Sequence, residues 1–540
     1  MTADRGALLT LLATRRAETE RTVLAPNLGA LLDRAVALHG DRPLWVSIED
    51  GETISYRAFG QRVAQCVASL QELGVTAGTH VATMLPSVPA MMVSWMALAR
   101  LGAVMIPINT RYTARELDQV LSEGRVELLV ADSAHLPIFE RLDGSLPLPK
   151  SRIVLHGVAA DGFAGEWHAL LDQAGDPHAV PDVETDALMT LQFTSGSTGA
   201  PKGCMLTHRY WLTIALVRAS QGPQVGRILI DMPFHYMGGQ WRFLMTLLTG
   251  ATAYVALQPS LARMMGWLVD HRIEYCSVTP ALAKQELDPR RAALALRWAV
   301  TMAMPKDLHG AVEARLNGTP VREIYGTTET GAIASMPFEI SGMDGSVGLA
   351  APFRTIRLVD ERHDDVPDGA AGELWVKGPG IMQGYYRNEE ATAAAFHGEW
   401  FRTGDLFRRD GDGFFTILGR IKDVIRRSGE NISAAELEAV LSGIPEILEA
   451  AAIPVPDERR GEEVKICLRL RDGTDRAQLP PERVLAFCRE RLASFKLPRY
   501  VAYYDELPKT PSGKIAKPQL RAASSDPRAG SFDTVDGVWR

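Results

Sequence analysis

The ten residues Thr194-Ser195-Gly196-Ser197-Thr198-Gly199-Ala200-Pro201-Lys202-Gly203 constrain this chain more than any other stretch. Their glycines let the backbone approach a ligand closely, their amides and hydroxyls are donors, and Lys202 adds a positive charge; together these are what phosphate oxygens require. A Gly/Ser/Thr segment also fits a plain surface turn, and by itself the stretch leaves both readings open. It is not the phosphate loop that runs straight into a helix, because that pattern ends in Gly-Lys followed by Ser or Thr. Pro201 biases Ala200 away from the helical region, and 203–207 continues as an extended run. The spacing therefore predicts a loop between two strands, the first over 188–193, and a following helix capped at Thr207-His208.

A chain of 540 residues is expected to form more than one domain, and 46% hydrophobic with 23% charged residues is ample for a large core. Lysine and arginine total 58 against 65 aspartate and glutamate, a formal charge of −7, which speaks against wholesale nucleic-acid binding. Cysteines at 66, 204, 276, 467 and 488 are spaced neither as disulfide partners nor as zinc ligands. A reduced, cytoplasmic setting follows as the expectation. The N-terminus mixes arginines with Asp4, Glu18 and Glu20, and no run approaches the roughly 18 apolar residues of a membrane span, so neither export nor a span is expected.

Along the chain, a helical lead-in to about residue 26 precedes an amphipathic helix from Asn27. Strands are expected at 45–47, 52–56 and 81–85, with a methionine- and alanine-rich helix over 89–101 that reads as core. Strand and helix alternate to about residue 275, the pattern of α/β layers with a mostly parallel sheet. Such sheets carry ligands on loops at strand ends. The segment Pro233 to Trp241, with His235, Tyr236, Gly239 and Trp241, fits either the lining of an organic pocket or a buried helix start. Thr279-Pro280 reads as a strand end.

Val321 to Gly331 is more pointed, because one strand delivers Tyr325, Gly326, Thr327, Thr328 and Glu329 into a loop. An aromatic face, hydroxyl donors and a magnesium-type carboxylate arise together there. Farther on the pattern turns β-rich, with a hairpin around Asp410-Gly411-Asp412. Asp405 sits where a strand meets a glycine; it suits two ribose hydroxyls and equally suits an ordinary turn. Beyond Arg420 a smaller α+β region begins, with a capping box at Ser433 and Glu436, a strand pair near 448–455 and 464–470, and a helix near 481–492. Pro508 to Ile515 forms a rigid loop tipped by Lys514, and composition predicts fraying from about residue 522.

Taken together and in this order, these separated motifs resemble the AMP-forming acyl-CoA synthetases of the adenylate-forming superfamily, which also holds aryl-CoA ligases, luciferases and peptide-synthetase adenylation domains. The resemblance spans residues 28–521. It implies an α/β fold: a large multi-layer N-terminal domain (1–421) with a small β-rich subdomain, then a small mobile α+β C-terminal domain (422–540) hinged at Lys422. By resemblance, Thr194, Ser195, Gly196, Ser197, Thr198, Gly199 and Lys202 hold the triphosphate of ATP. Tyr325 stacks on the adenine, Gly326 and Thr327 belong to the same ATP/AMP-binding set, and Thr328 contacts the adenylate phosphate. Glu329 binds Mg2+, Asp405 and Arg420 hold the ribose, and Lys514 serves adenylation.

The same resemblance puts Arg427, Ser428, Gly429 and Glu430 beside the pantetheine of coenzyme A. It draws an acyl pocket from His235, Tyr236, Gly239, Trp241, Thr279, Met302, Met304, Gly331 and Ala332. Two departures stand out. Met302 and Met304 occupy a segment that is commonly glycine-rich in the family, and His235 stands where peptide-synthetase domains usually carry the aspartate that grips an amino group. An α-amino acid substrate is therefore disfavoured. The expected activity is ATP-dependent ligation of a small carboxylic acid to CoA. The alternatives are an adenylating enzyme that loads a carrier protein and a nonenzymatic nucleotide-binding homologue. No nucleic acid or membrane partner is expected, and a homodimer is compatible with this reading.

Overall fold

The computed structural model describes residues 2–141, 147–195, 201–302, 304–340, 345–427, 430–492, 494–510 and 513–540. Contacts divide the chain into two units, one of residues 1–356 with 376–401 and the other of 357–375 with 402–540. The hairpin around Asp410 thus groups with the C-terminal region, not with the N-terminal body.

Two sheets build the first unit. One runs in the order Gly165–Glu166, Ile153–His156, Leu128–Asp132, His80–Met84, Val104–Pro107, Leu188–Ser195, Pro201–Thr207, and is parallel except for its last pair. The second is parallel from Val321–Thr327 through Trp298–Thr301, Tyr275–Ser277, Arg227–Ile230 and Thr252–Val255 to Pro43–Ser47. Parallel strands are buried on both faces and read as nearly continuous apolar runs. His80–Met84 and Val104–Pro107 are buried at every position. The helix Pro89–Leu101 is apolar nearly all round and buries its methionines, as a core helix should, and stops at Gly102 in the left-handed region (φ 65°). At the N-terminus, the helix Thr2–Arg21 is tied down by Arg16, which donates to the carbonyl of Arg354 at 2.8 Å.

In the second unit, Asp405 faces Arg420 across a hairpin whose turn is held by the Asp410 carboxylate, which accepts from the amides of Asp412 and Phe414. A further sheet runs Glu430–Ser433, Val424–Arg427, Gly461–Leu470, Tyr500–Tyr503, Ser531–Asp533, Val538–Trp539, with Ile447–Asp457 also paired to Gly461–Leu470. The tail from residue 522 differs from its composition-based expectation. Instead of fraying it adds two strands, and the reason is ionic: the fully buried Asp533 carboxylate takes Arg499 at 3.2 Å and Arg540 at 2.9 Å. All five cysteines are buried and unbridged, and burial pushes the thiols of Cys66, Cys467 and Cys488 up, to about 12, about 11 and about 11. Among the described residues no helix is long and apolar enough to cross a membrane.

Candidate active site

The glycine-rich loop joins two strands, as its proline requires. Leu188–Ser195 and Pro201–Thr207 pair antiparallel with Thr194 opposite Lys202, and Thr207 then caps the helix His208–Ala219 by accepting from the amide of Tyr210. Gly196, Ser197, Thr198 and Gly199 lie outside the described residues. What the structure places is the loop's two ends: Thr194 Oγ1 lies 3.4 Å from the Lys202 carbonyl, and both residues are half-buried.

The segment 383–386 runs along the second of these strands. Gln383 donates to the Met205 carbonyl, Met205 to that of Gly384, and Tyr386 to that of Gly203. This pairing sets the ring of Tyr385 beneath Lys202, whose Nζ is 5.2 Å from the ring centre. The Tyr385 hydroxyl in turn donates to Glu329 Oε1 at 3.1 Å. A cation, a phenol and a carboxylate from three distant parts of the sequence therefore meet at the mouth of the loop. Burial raises the Cys204 thiol in the same strand, and the Glu329 charge raises it further.

Glu329 stands in the turn between Val321–Thr327 and Gly331–Ser335. Gly326 has no substitute here, since a Cβ on it would come within 2.0 Å of the Gly331 carbonyl oxygen. The Thr327 and Thr330 hydroxyls are 3.0 Å apart across the turn, and the Thr328 carbonyl accepts from Tyr210 at 2.9 Å. The turn is held from beneath by Arg354, which is 1% exposed. Its guanidinium donates to the carbonyls of Ala332, Thr330 and Pro379, and burial lowers it to about 10, still protonated at neutral pH. Tyr325 is buried one residue before Gly326.

The Pro233–Trp241 segment leads into a largely buried helix start. Tyr236 caps the helix Met237–Thr249 and is 39% exposed, its hydroxyl accepting from Asn109 Nδ2 at 3.2 Å. His235 is buried against Tyr236, ring centres 4.4 Å apart, and its carbonyl accepts from Gln192. Burial, then the Arg111 charge, lowers its imidazole to about 4, so it is neutral at pH 7. Gly239 is packed tightly, a Cβ there meeting the Met232 carbonyl at 2.6 Å. Met302 is 53% exposed and Thr279 is also exposed, whereas Met304 sits in the apolar core with Leu268, Cys276 and Val321, and Ala332 is fully buried. Sequence grouped the two methionines, yet two residues along the chain they face different surroundings.

In the second unit, Asp405 is buried and pairs with the half-exposed Arg420 at 2.8 Å. Lys422 lies in the short turn Ile421–Asp423. Arg427 is buried, ion-paired to Glu463 at 2.9 Å and bonded to the Leu497 carbonyl at 3.0 Å; Glu430 faces it across a hairpin, and Ser428 and Gly429 fall outside the described residues. Lys514 is exposed on a turn in which the Thr510 amide donates to its carbonyl and Gly513 takes φ 80°. Its neighbours are tied down, Lys509 to Glu449 and Lys517 to Glu438, while among the described residues Lys514 has no ion pair.

Sequence reading missed Tyr385, Arg354 and Tyr210. Gly384-Tyr385-Tyr386 is visible as a glycine-punctuated segment, but nothing in one sequence says that Tyr385 bridges residues 56 and 183 positions upstream. A buried arginine that serves carbonyls leaves no local pattern at all.

Compared with family models, residues 32–386 match the AMP-binding enzyme and 436–514 the AMP-binding enzyme C-terminal domain. A feruloyl-CoA synthase from an Amycolatopsis species is 32% identical over 482 residues, covering 87% of this chain and 94% of that protein. A long-chain-fatty-acid–CoA ligase from Escherichia coli O6:H1 is 30% identical over 532 residues, covering 91% and 93%. The ATP-bound crystal structure of MatB from Rhodopseudomonas palustris is similar with a TM-score of 0.80 at 26% identity, over 92% of this chain and 99% of that one.

Proposed function

This chain belongs to the AMP-binding enzyme family, and from that premise we propose that it is an AMP-forming carboxylate–CoA ligase acting on ATP, a small organic acid and CoA. The observation that carries the reading is the meeting of Lys202, Tyr385 and Glu329 at the mouth of the glycine-rich loop. In the first step a carboxylate oxygen attacks the α-phosphorus of ATP and pyrophosphate leaves, so anions must be brought together. Lys202 and the loop amides hold the leaving phosphates, Lys514 offsets charge at the reacting centre, and Thr328 steadies the adenylate phosphate. Asp405 with Arg420 takes the ribose. The product is a mixed anhydride; in the second step a thiolate attacks its carbonyl and AMP departs, leaving a thioester.

The site also suits Mg2+. Glu329 and the neighbouring threonine hydroxyls are hard oxygen donors, and among the described residues no cluster of three His, Cys, Asp or Glu offers a closed protein cage. One carboxylate combined with substrate phosphates is the usual mode for that ion. Bound there, it would neutralise phosphate charge. We place the enzyme in the cytoplasm, with Lys422 as the hinge between the two half-reactions and the Arg427–Glu430 hairpin beside CoA. His235 and Tyr236 border the acyl group; Met304, held in the core, is left out of that set.

The test is mass spectrometry of products after incubating the purified protein with ATP, Mg2+, CoA and a panel of aliphatic, aromatic and ammonium-bearing acids. A CoA thioester together with AMP is the expected result. An acyl-adenylate that never becomes a thioester would move the acceptor from CoA to a carrier protein, and absence of AMP with every acid would overturn the ligase reading.

A further inference from the structure

The helix His208–Ala219 carries Tyr210, Ile214 and Arg218 at successive i, i+4 positions, one above the other on a single face. At one end of that face Tyr210 bonds the Thr328 carbonyl, and Ile214 and Tyr210 flank Gly331 closely enough that a Cβ on it would touch both at 3.6 Å. At the other, about 12 Å farther along the helix axis, lies Arg218, 3% exposed. Across from it, the helix Met237–Thr249 contributes Trp241 and Arg242, the latter 2% exposed. Both guanidinium groups stack on the same indole, at 5.5 Å for Arg218 and 4.4 Å for Arg242.

Two like charges so close and so buried call for an anion, because an unpaired buried charge is among the costliest features a fold can carry. Among the described residues neither has one within ion-pairing reach. Arg218 donates to the side-chain oxygen of Gln221 at 3.2 Å, Arg242 to the Gly238 carbonyl at 2.8 Å, and the Nε of each has no partner. Burial pulls Arg218 down to about 10, with the Tyr275 phenol working against that shift and the Arg242 charge adding to it, and it stays protonated at neutral pH. Asp231 feels the charge of Arg242 but is itself raised by burial, and one carboxyl against two guanidinium groups leaves positive charge over. Native proteins rarely leave such donors unmet unless water or a ligand completes them.

We propose that Arg218 and Arg242 form the far end of the acyl site and select acids bearing a second anionic group, such as α,ω-dicarboxylic acids, at the end remote from the carboxylate being activated. This deepens the ligase reading and rests on it. A carboxylate is the planar, two-oxygen partner that a guanidinium fork matches best, and Trp241 holds the two forks side by side.

The test compares, on the wild-type enzyme, kcat/KM for thioester formation with a monocarboxylic acid and with dicarboxylic acids of graded length. At one matched length the diacid is expected to be at least tenfold better. Arg218→Gln and Arg242→Gln should each lower the diacid-to-monoacid ratio at least tenfold, and Arg218→Lys should retain part of it. Because the wild-type comparison needs no variant, a misfolded substitution does not remove the test. Thioester formation with monoacids and no preference for any diacid, or a preference for ammonium-bearing acids, would overturn the anion-selecting floor and leave the ligase reading standing. No AMP release with any acid would overturn both.

Discussion

Two sets of charges, one in each unit, are held in opposite ways. In the C-terminal unit the set around Glu463 and Asp533 closes on itself. Glu463, 1% exposed, holds Arg427 at 2.9 Å and Arg460 at 3.4 Å, and Arg499 reaches both Asp457 and Asp533. In the N-terminal unit Lys202 lies over an aromatic face, Glu329 takes a phenol, and Arg218 and Arg242 meet an indole. Charges that neutralise each other hold a fold together, whereas charges given only neutral neighbours keep their field for something that arrives. By that criterion Arg427, ion-paired to Glu463, is held as the scaffold charges are, and Lys514, exposed between two ion-paired lysines, is held as the waiting charges are, which is what our proposal asks of it.

Lys514 gives the sharpest way to break the contrast. Lys514→Ala should lower adenylate formation about a thousandfold, ~4 kcal/mol of barrier, with the melting temperature unmoved. Thioester formation from supplied acyl-adenylate should continue. Measuring the two half-reactions separately decides it, since an equal loss in both would mean that the lysine serves structure.

A paired substitution sharpens the comparison. Removing one partner of a buried ion pair leaves the other charge stranded, at a cost of about 3 kcal/mol. Glu463→Gln should therefore destabilise the C-terminal unit by that amount in urea unfolding while sparing ATP binding. Glu329→Gln keeps the shape and removes a charge that has no ion pair among the described residues, so it should leave stability within about 0.5 kcal/mol and lower adenylation about a hundredfold. If Glu463→Gln proved the more damaging to chemistry and Glu329→Gln to folding, the division between scaffold charges and waiting charges would be wrong.

How far the sequence foretold this follows the same line. The strand–loop–strand at Thr194–Lys202, the turn carrying Glu329 and the hairpin at Asp410 were legible because each is set by neighbours in the chain: Pro201, Gly326, and an aspartate that folds back on its own turn. Tyr385 beneath Lys202 and Arg354 under the Glu329 turn were not, because each answers to groups more than twenty residues away. The tail shows the failure most plainly. Its Ser/Asp/Gly composition reads as disorder, yet Asp533 finds Arg499 and Arg540, and those pairs make a strand of it. Met302 and Met304 mark the limit inside an element, where one is 53% exposed and the other is core.

Titration separates the units in a milder way. His208 is fully buried and accepts the Leu28 amide on Nδ1, which fixes it as neutral, and burial lowers it to about 4; His235 is lowered to the same value. In the unfolded chain both titrate near 6.5. The folded state thus refuses protons that the unfolded state accepts. Stability from these two is complete above about pH 6.5 and falls on acidification toward 4, by about 1.4 kcal/mol per pH unit for each. Asp533 works over a lower range. Its arginines and turn amides hold its carboxyl well below the usual carboxylate range, so its contribution is full above about pH 4 and is lost only as the pH drops further. Hydrogen exchange at pH 7 and pH 5 should accordingly show protection lost around 208–219 and 233–241 while 499–503 and 531–533 keep theirs. His235→Gln, which cannot take up the proton, should remove about half of the slope that these two histidines contribute; equal loss in both units at pH 5 would show that neither histidine sets the acid limit.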